Sequence, residues 1–344
     1  MELTQRESAI LESVVSNFIE TANPIGSRII AKRMKLNLSP ATIRNVLMDL
    51  EEKHLVHQPH TSAGRIPTDS GYRIFVDKLM KSVRLSSPEK KRIQENLKGI
   101  NQSIEQILTR ASKVLGEISK QLGVVLAPRF YQGIVENLQL LEISEKRILV
   151  VISIESGPVR TIIMDVKVTI DSKKLEETTR ILNERLNGLT LKQIKESIDL
   201  RLQDVNEGDV GLIKLISESA DELFNFDDQP EYHIGGTYHI VAQPEFSRLD
   251  RVTKTLELIE KKQNIIIQLL NAKARDSLSI TIGGENQDRL MKDFSIITST
   301  YQVGEVNGIL AILGPTRMHY ARMIALLEYM AKSMSNLLIS SMVN

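Results

Sequence analysis

Residues 39–53 read SPATIRNVLMDLEEK, and residues 54–73 continue HLVHQPHTSAGRIPTDSGYR. Ser39-Pro40 is a helix start. A Ser hydroxyl satisfies a free N–H of the first turn, and Pro at the first helical position gives up an N–H that has no partner there. Ile43, Val46, Leu47 and Leu50 then recur at i, i+3, i+4 and i+7, which predicts a helix with one buried stripe. Leu55 to Gln58 and Arg65 to Pro67 are short extended runs joined by residues 59–64, a β-hairpin with a polar tip.

The flanks extend this pattern. Thr4-Gln5-Arg6-Glu7 has the form of a capping box, and Ile10, Leu11, Val14, Val15, Phe18 and Ile19 follow at helical spacing until Asn23-Pro24. A second short helix is expected from about Ser27 to Lys35. Thr68 caps a fourth, with Tyr72, Phe75, Val76, Leu79 and Met80 on its apolar side. Helix, helix, helix, hairpin is the order of a winged helix-turn-helix.

Removing the core stripe from the third helix leaves Ala41, Thr42, Arg44, Asn45, Met48 and Asp49 facing outward. Arg donates twice to guanine, Asn bonds adenine at two edges, and Ala or Thr touches the thymine methyl. Ser39, Pro40, Ala41, Thr42, Arg44, Asn45 and Met48 are therefore the expected reading surface of bound double-stranded DNA. The alternative is solvated helix surface, and the four-element order decides against it. His57, His60, Thr61, Ser62, Gly64 and Arg65 on the hairpin, with Ser27 and Arg28 opening the second helix, are expected phosphate contacts, which position rather than specify. Gly64 is expected to supply a positive φ at the tip. His54, His57 and His60 are read as wing histidines, because no cysteine or carboxylate cluster completes a zinc site. No metal and no cofactor are expected.

Composition bounds the rest. The chain has 344 residues, 42% apolar and 25% charged, which suggests two or three packed domains. It has no cysteine, so disulfides, thiolate metal sites and a cysteine nucleophile are excluded. The first 84 residues hold 12 Lys and Arg against 9 Asp and Glu, whereas the remainder is slightly acidic. That asymmetry fits an anionic partner at the front end. With no signal segment and no apolar run of the ~18 residues needed to span a membrane, a cytoplasmic protein is expected. Walker, dinucleotide, zincin and nucleophile-elbow motifs are missing, so no enzyme is expected.

Behind the hairpin, residues 82–90 read as a linker and about 88–122 as a long helical stretch. Three strands are expected within 137–169, helices over 172–225, and strand over 232–243 broken by Gly235-Gly236. A helix over about 248–270, strands at 277–282, 295–301 and 308–313, and a closing helix over about 316–338 complete the chain. The Ile-Gly-Gly triplets at 234–236 and 282–284 are read as strand ends or turns rather than phosphate loops. The stripe Ile265, Ile266, Ile267, Leu269 and Leu270 is read as core or dimer contact.

SPATIRNVLMDLE with HTSAGRIPTDSGYR, then IGGTYHIVAQPEF (234–246) and VNGILAILGPTRMHYARMIALLEY (306–329), closely resemble the heat-inducible transcription repressor HrcA family. The likeness spans nearly the whole chain. It departs at Ser70, where Lys is more usual. It implies a multidomain α+β protein: a winged helix-turn-helix at 1–82, a linker and helix start at 83–103, a GAF-like domain in two segments (104–170 and 247–344), and an inserted dimerising domain at 171–246. It also implies a homodimer that represses chaperone operons through an inverted-repeat operator, CIRCE, with the GroEL chaperonin sustaining its activity. A metabolite-responsive winged-helix regulator is the alternative, and an enzyme carrying a DNA-binding domain stands behind it.

Overall fold

The computed structural model describes residues 2–33, 38–61, 63–97, 104–128, 133–155, 159–166, 171–205, 210–224, 232–246, 249–260, 265, 269, 277–304 and 306–343. The first helix, α1 (Gln5–Thr21), starts on the capping box read from sequence. The Thr4 hydroxyl accepts from the Glu7 N–H, and the Glu7 carboxylate accepts from the Thr4 N–H at 2.9 Å. Next come α2 (Ser27–Arg33) and α3 (Pro40–Glu52), then β1 (Val56–His57) and β2 (Ile66–Pro67), paired antiparallel, and α4 (Asp69–Ile74). Residues 34–35, expected to end α2, lie outside the described residues. The fourth helix does not run on in one geometry. After Ile74 it widens into a π turn over Phe75–Leu79, where each bond spans one more residue.

Three apolar stripes meet in the core of this module. Ile10, Leu11, Val14 and Val15 of α1, Ile30 of α2, and Ile43 and Leu50 of α3 have no exposed surface. Their burial supplies most of the module's stability at roughly 25 cal/mol per Å² of apolar surface.

The expected long helix over 88–122 is α5 (Ser87–Leu97) and α6 (Ile104–Ser119), with residues 98–103 outside the described set. Its end was misread. Lys120 takes φ 57°, which stops the helix, and Leu122–Leu126 become β3, buried along its whole length. Residues 123–126 carried no expectation, since a fully apolar run of five residues satisfies either period.

The chain divides into two compact units. One comprises Met1–Val125, His233–Thr300 and Ile309–Ser333. The other comprises Leu126–Tyr232, Tyr301–Gly308 and Met334–Asn344. In the second unit β4 (Val135–Ser144), β5 (Arg147–Ile154) and β6 (Val159–Asp165) form an antiparallel sheet in that order. They are followed by α7 (Ser172–Leu186), α8 (Leu191–Leu202), α9 (Val210–Glu218) and α10 (Ala220–Leu223). These strands group with these helices, although residues 104–170 and 171–246 were expected to separate. The reason is local: Asn183 on α7 both donates to and accepts from the Leu138 backbone of β4, at 2.6 and 2.8 Å.

The first unit resumes with β7 (Tyr232–Gly235). The expected strand over 232–243 ends there, because the chain turns at Gly236 into α11 (Thr237–Val241). The chain continues with α12 (Leu249–Glu260), β8 (Leu278–Ile282), β9 (Phe294–Val303), β10 (Val306–Pro315) and α13 (Tyr320–Val343). The five-stranded sheet runs β7-β3-β10-β9-β8. The two Ile-Gly-Gly triplets close β7 and β8. Of the 265–270 stripe, Ile265 and Leu269 are described, and both are buried. No helix among the described residues is long and apolar enough to cross a membrane.

Candidate nucleic-acid interface

The Ser39 hydroxyl caps α3 by accepting from the Thr42 N–H at 3.1 Å, and it meets the Thr42 hydroxyl at 2.9 Å. These two hydroxyls are therefore engaged in starting the helix, and Pro40 fixes its first turn. With Ile43, Leu47 and Leu50 buried, Ala41, Arg44, Asn45, Met48 and Asp49 stand exposed. Met48 keeps 48% of its surface. Neither Arg44 nor Asn45 has a side-chain partner among the described residues, so their donors are available to base edges.

The far end of α3 is closed without glycine. The His54 N–H bonds the Glu51 carbonyl and the Leu55 N–H bonds the Leu50 carbonyl, with His54 left-handed at φ 57°. Leu55 then packs in the core and launches the hairpin, which fixes where the wing leaves the helix.

The wing is a three-part ladder. Ile25, just before α2, bridges to Arg65, each N–H donating to the other's carbonyl at 3.1 and 2.9 Å. This approach explains Gly64. Its φ is not in the left-handed region, contrary to the sequence expectation. A Cβ there would collide with the Ile25 carbonyl, so space rather than conformation excludes any other residue.

Arg65 also differs from expectation. Its guanidinium pairs with Glu51 on α3 at 2.6 Å, and its side chain is only 16% exposed. It fastens the wing to the recognition helix instead of standing free for phosphate. Glu51 also accepts from the Gln58 N–H, and the Gln58 amide donates to the Thr61 and Ala63 carbonyls at 2.9 Å each. Glu51 and Gln58 were missed in the sequence because a polar residue on a helix or strand edge gives no hint of its partner. His57, His60 and Thr61 are exposed along the wing, and Ser62 lies outside the described residues.

Ser27, Arg44, Gln58, Thr61, Gly64 and Arg65 line one cleft of about 490 Å³ between α2, α3 and the wing. Arg28 is exposed beside it and has no ion pair among the described residues. Free cations, hydroxyls and backbone groups around an open groove suit a phosphate backbone, and α3 presents its outer face next to them.

The rear of the same module is committed elsewhere. Asp69 accepts from the Gly284 N–H at 2.8 Å. Arg73 donates to Glu285 at 2.8 Å, to the Ile280 carbonyl at 2.7 Å and to Asp77 at 3.1 Å. Gly283 sits at φ 53°, where a Cβ would run into the Asp69 carboxylate. Arg317, 13% exposed, donates to the Ile19 carbonyl at the end of α1 and pairs with Glu245. Tyr72 packs on Tyr320 beside them, ring centroids 6.0 Å apart. The reading head is thus clamped to the turn after β8 and to the start of α13. The string TSAGRIPTD carried this signal, since its last residue is the clamp's Asp69, but its partners lie over 200 residues away.

A winged helix-turn-helix with a capped recognition helix, free Arg and Asn on its outer face and a braced wing defines a sequence-reading DNA-binding protein. Residues 2–80 match the family model of the winged helix-turn-helix transcription repressor, HrcA DNA-binding domain, and residues 105–324 match that of the HrcA protein C terminal domain. Among curated proteins the chain is 42% identical to the heat-inducible transcription repressor HrcA of Chlorobium phaeobacteroides, over 97% of this chain and 98% of that one. It is 41% identical to that of Prosthecochloris aestuarii, over 97% of each. A crystal structure of a hypothetical protein shares the fold at TM-score 0.61 and 21% identity, covering 99% of this chain and all of the other. The chain belongs to the HrcA family of heat-inducible transcription repressors.

Proposed function

We propose that this protein represses heat-shock (chaperone) operons by binding an inverted-repeat operator, CIRCE, as a homodimer in the cytoplasm. In this reading Arg44 and Asn45 read bases, while Ser27, Arg28, His57, His60 and Thr61 hold phosphates. One winged helix reads only a few base pairs, which is too little against a genome of competing sites. Two heads on a two-fold axis double the discriminating contacts and impose a fixed half-site spacing. The regulatory body is GAF-like, with an inserted dimerising segment, and the GroEL chaperonin keeps the active fraction folded. Heat then acts by unfolding a marginally stable body and diverting the chaperonin to other clients.

The observation that carries this reading is the exposed Arg44–Asn45 pair, without a side-chain partner among the described residues, on a capped recognition helix. The test is fluorescence anisotropy at one fixed salt concentration. The protein is titrated into the intact inverted repeat and into the same duplex with one half-site scrambled, with and without chaperonin. Much tighter binding to the intact repeat, strengthened by chaperonin, is expected. Equal, salt-sensitive binding to both duplexes would overturn the operator assignment.

A further inference from the structure

The first unit contains a second charged cavity, remote in sequence from the reading head. It has a volume of about 260 Å³ and lies between α12 and the loop joining β8 to β9. Three cations line it: Arg251 and Lys254 from α12, and Arg289 from the loop. Asp293 is the one acid among the described lining residues, and it pairs with Arg251. That pair leaves Lys254 and Arg289, both exposed, with no ion-pair partner among the described residues. The described lining residues thus carry a net charge of two positive units.

Apolar residues also border the cavity. Phe246 and Phe294 are 1% and 4% exposed and stack face to face, centroids 4.7 Å apart at 14°. The remaining hydroxyl on the lining, that of Thr255, is spent on the Arg251 carbonyl at 2.9 Å. The cavity therefore offers two cationic donors with no ion pair among the described residues, bordered by the edge of a buried aromatic stack. Two exposed cations beside one small space repel each other weakly across water, and an anion seated between them would offset that cost. An Arg fork matches the planar oxygens of a carboxylate or phosphate, and a Lys supplies the second point charge. The volume falls just below the range of typical drug-sized sites, which limits the occupant to a small molecule.

We propose that this cavity binds a small organic dianion, a phosphate monoester or a dicarboxylate, with its charge on Lys254 and Arg289 and its apolar part on the Phe246–Phe294 stack. The site is independent of the operator reading, since none of its residues belongs to the DNA-binding module.

Isothermal titration of the full chain with phenyl phosphate and with phthalate tests this, and the pair separates the two anion classes. Inorganic phosphate and phenol serve as probes of charge alone and ring alone. Saturable binding of at least one aromatic dianion is expected, weakened about tenfold or more in Lys254→Gln and in Arg289→Gln through loss of a charge-assisted bond. Phosphate and phenol should each bind more weakly than the matching dianion. Both substitutions are at exposed positions, and retained operator binding checks that the variants are folded. Absence of saturable binding by both dianions overturns the proposal, as does binding unchanged in the two variants. Phenol binding as tightly as phenyl phosphate would also sink it, by showing an apolar pocket without anion recognition.

Discussion

The outer face of α3 and the segment from Arg65 to Arg73 both carry arginine and lie in the same small module, yet their arginines end in opposite states. Arg44 and Asn45 have no side-chain partner among the described residues and stand exposed. Arg65 is consumed by Glu51, and Arg73 by Glu285, Asp77 and a strand carbonyl. The difference teaches that an arginine's role is set by whether an acid already holds it. A free guanidinium can release counterions from DNA, whereas a paired one has its donors spent within the protein.

The comparison can be broken most severely at Gly64. A methyl group there meets the Ile25 backbone, which cannot give way as a flexible side chain would. Gly64→Ala is expected to lower the unfolding free energy by about 3 kcal/mol, in the upper range for overpacking, and to weaken operator and random DNA together. A urea denaturation midpoint equal to wild type would refute the close approach.

On the free face, Arg44→Ala and Asn45→Ala should each cost about 1–3 kcal/mol of operator affinity while barely touching random DNA. Their thermal stability should stay at wild type, since neither side chain holds anything in the fold. If Arg44→Ala left specific binding intact, the helix would face the groove differently. On the paired side, Arg65→Ala should remove about 1 kcal/mol of stability by stranding Glu51. The salt dependence of DNA binding should keep its slope, because no phosphate contact is lost. A flattened slope would return Arg65 to the phosphate-binding set.

The smallest effect concerns pH. Glu7 is buried, and hydrogen bonds from Lys53 and from the Thr4 N–H hold its carboxyl below the ordinary carboxylate range. A depressed folded value contributes stability above the unfolded value of about 4.5, and that stability disappears as pH falls through the folded one. Melting temperature measured from pH 6 down to pH 3 should therefore fall more steeply in wild type than in Glu7→Gln. Parallel curves would remove Glu7 from the acid response.

Much of the reading module was legible in sequence because its signals are local. Ser39-Pro40, the i, i+3, i+4, i+7 stripe and the Thr4–Glu7 box each act within a few residues; both caps appear in the structure as read, and the stripe does so with Val46 only half-buried. The misreadings fall where local signals are ambiguous. The buried run Leu122–Leu126 fits strand or helix alike and carried no strand expectation, and the chain leaves β7 for α11 at Gly236.

By itself, the sequence determined the element order of the DNA-binding module, the capped start of its recognition helix and the outward face that carries Arg44 and Asn45. Hydrophobic periodicity and capping chemistry act over one or two helical turns, so one chain segment suffices to state them. Only the tertiary structure decided that Gly64 answers to a neighbouring backbone, that Arg65 braces the wing, and that Asp69 and Arg73 clamp the head to residues 280–285. Those roles depend on groups far away in the chain, and an ion pair or a steric limit exists only once folding has brought its two sides together.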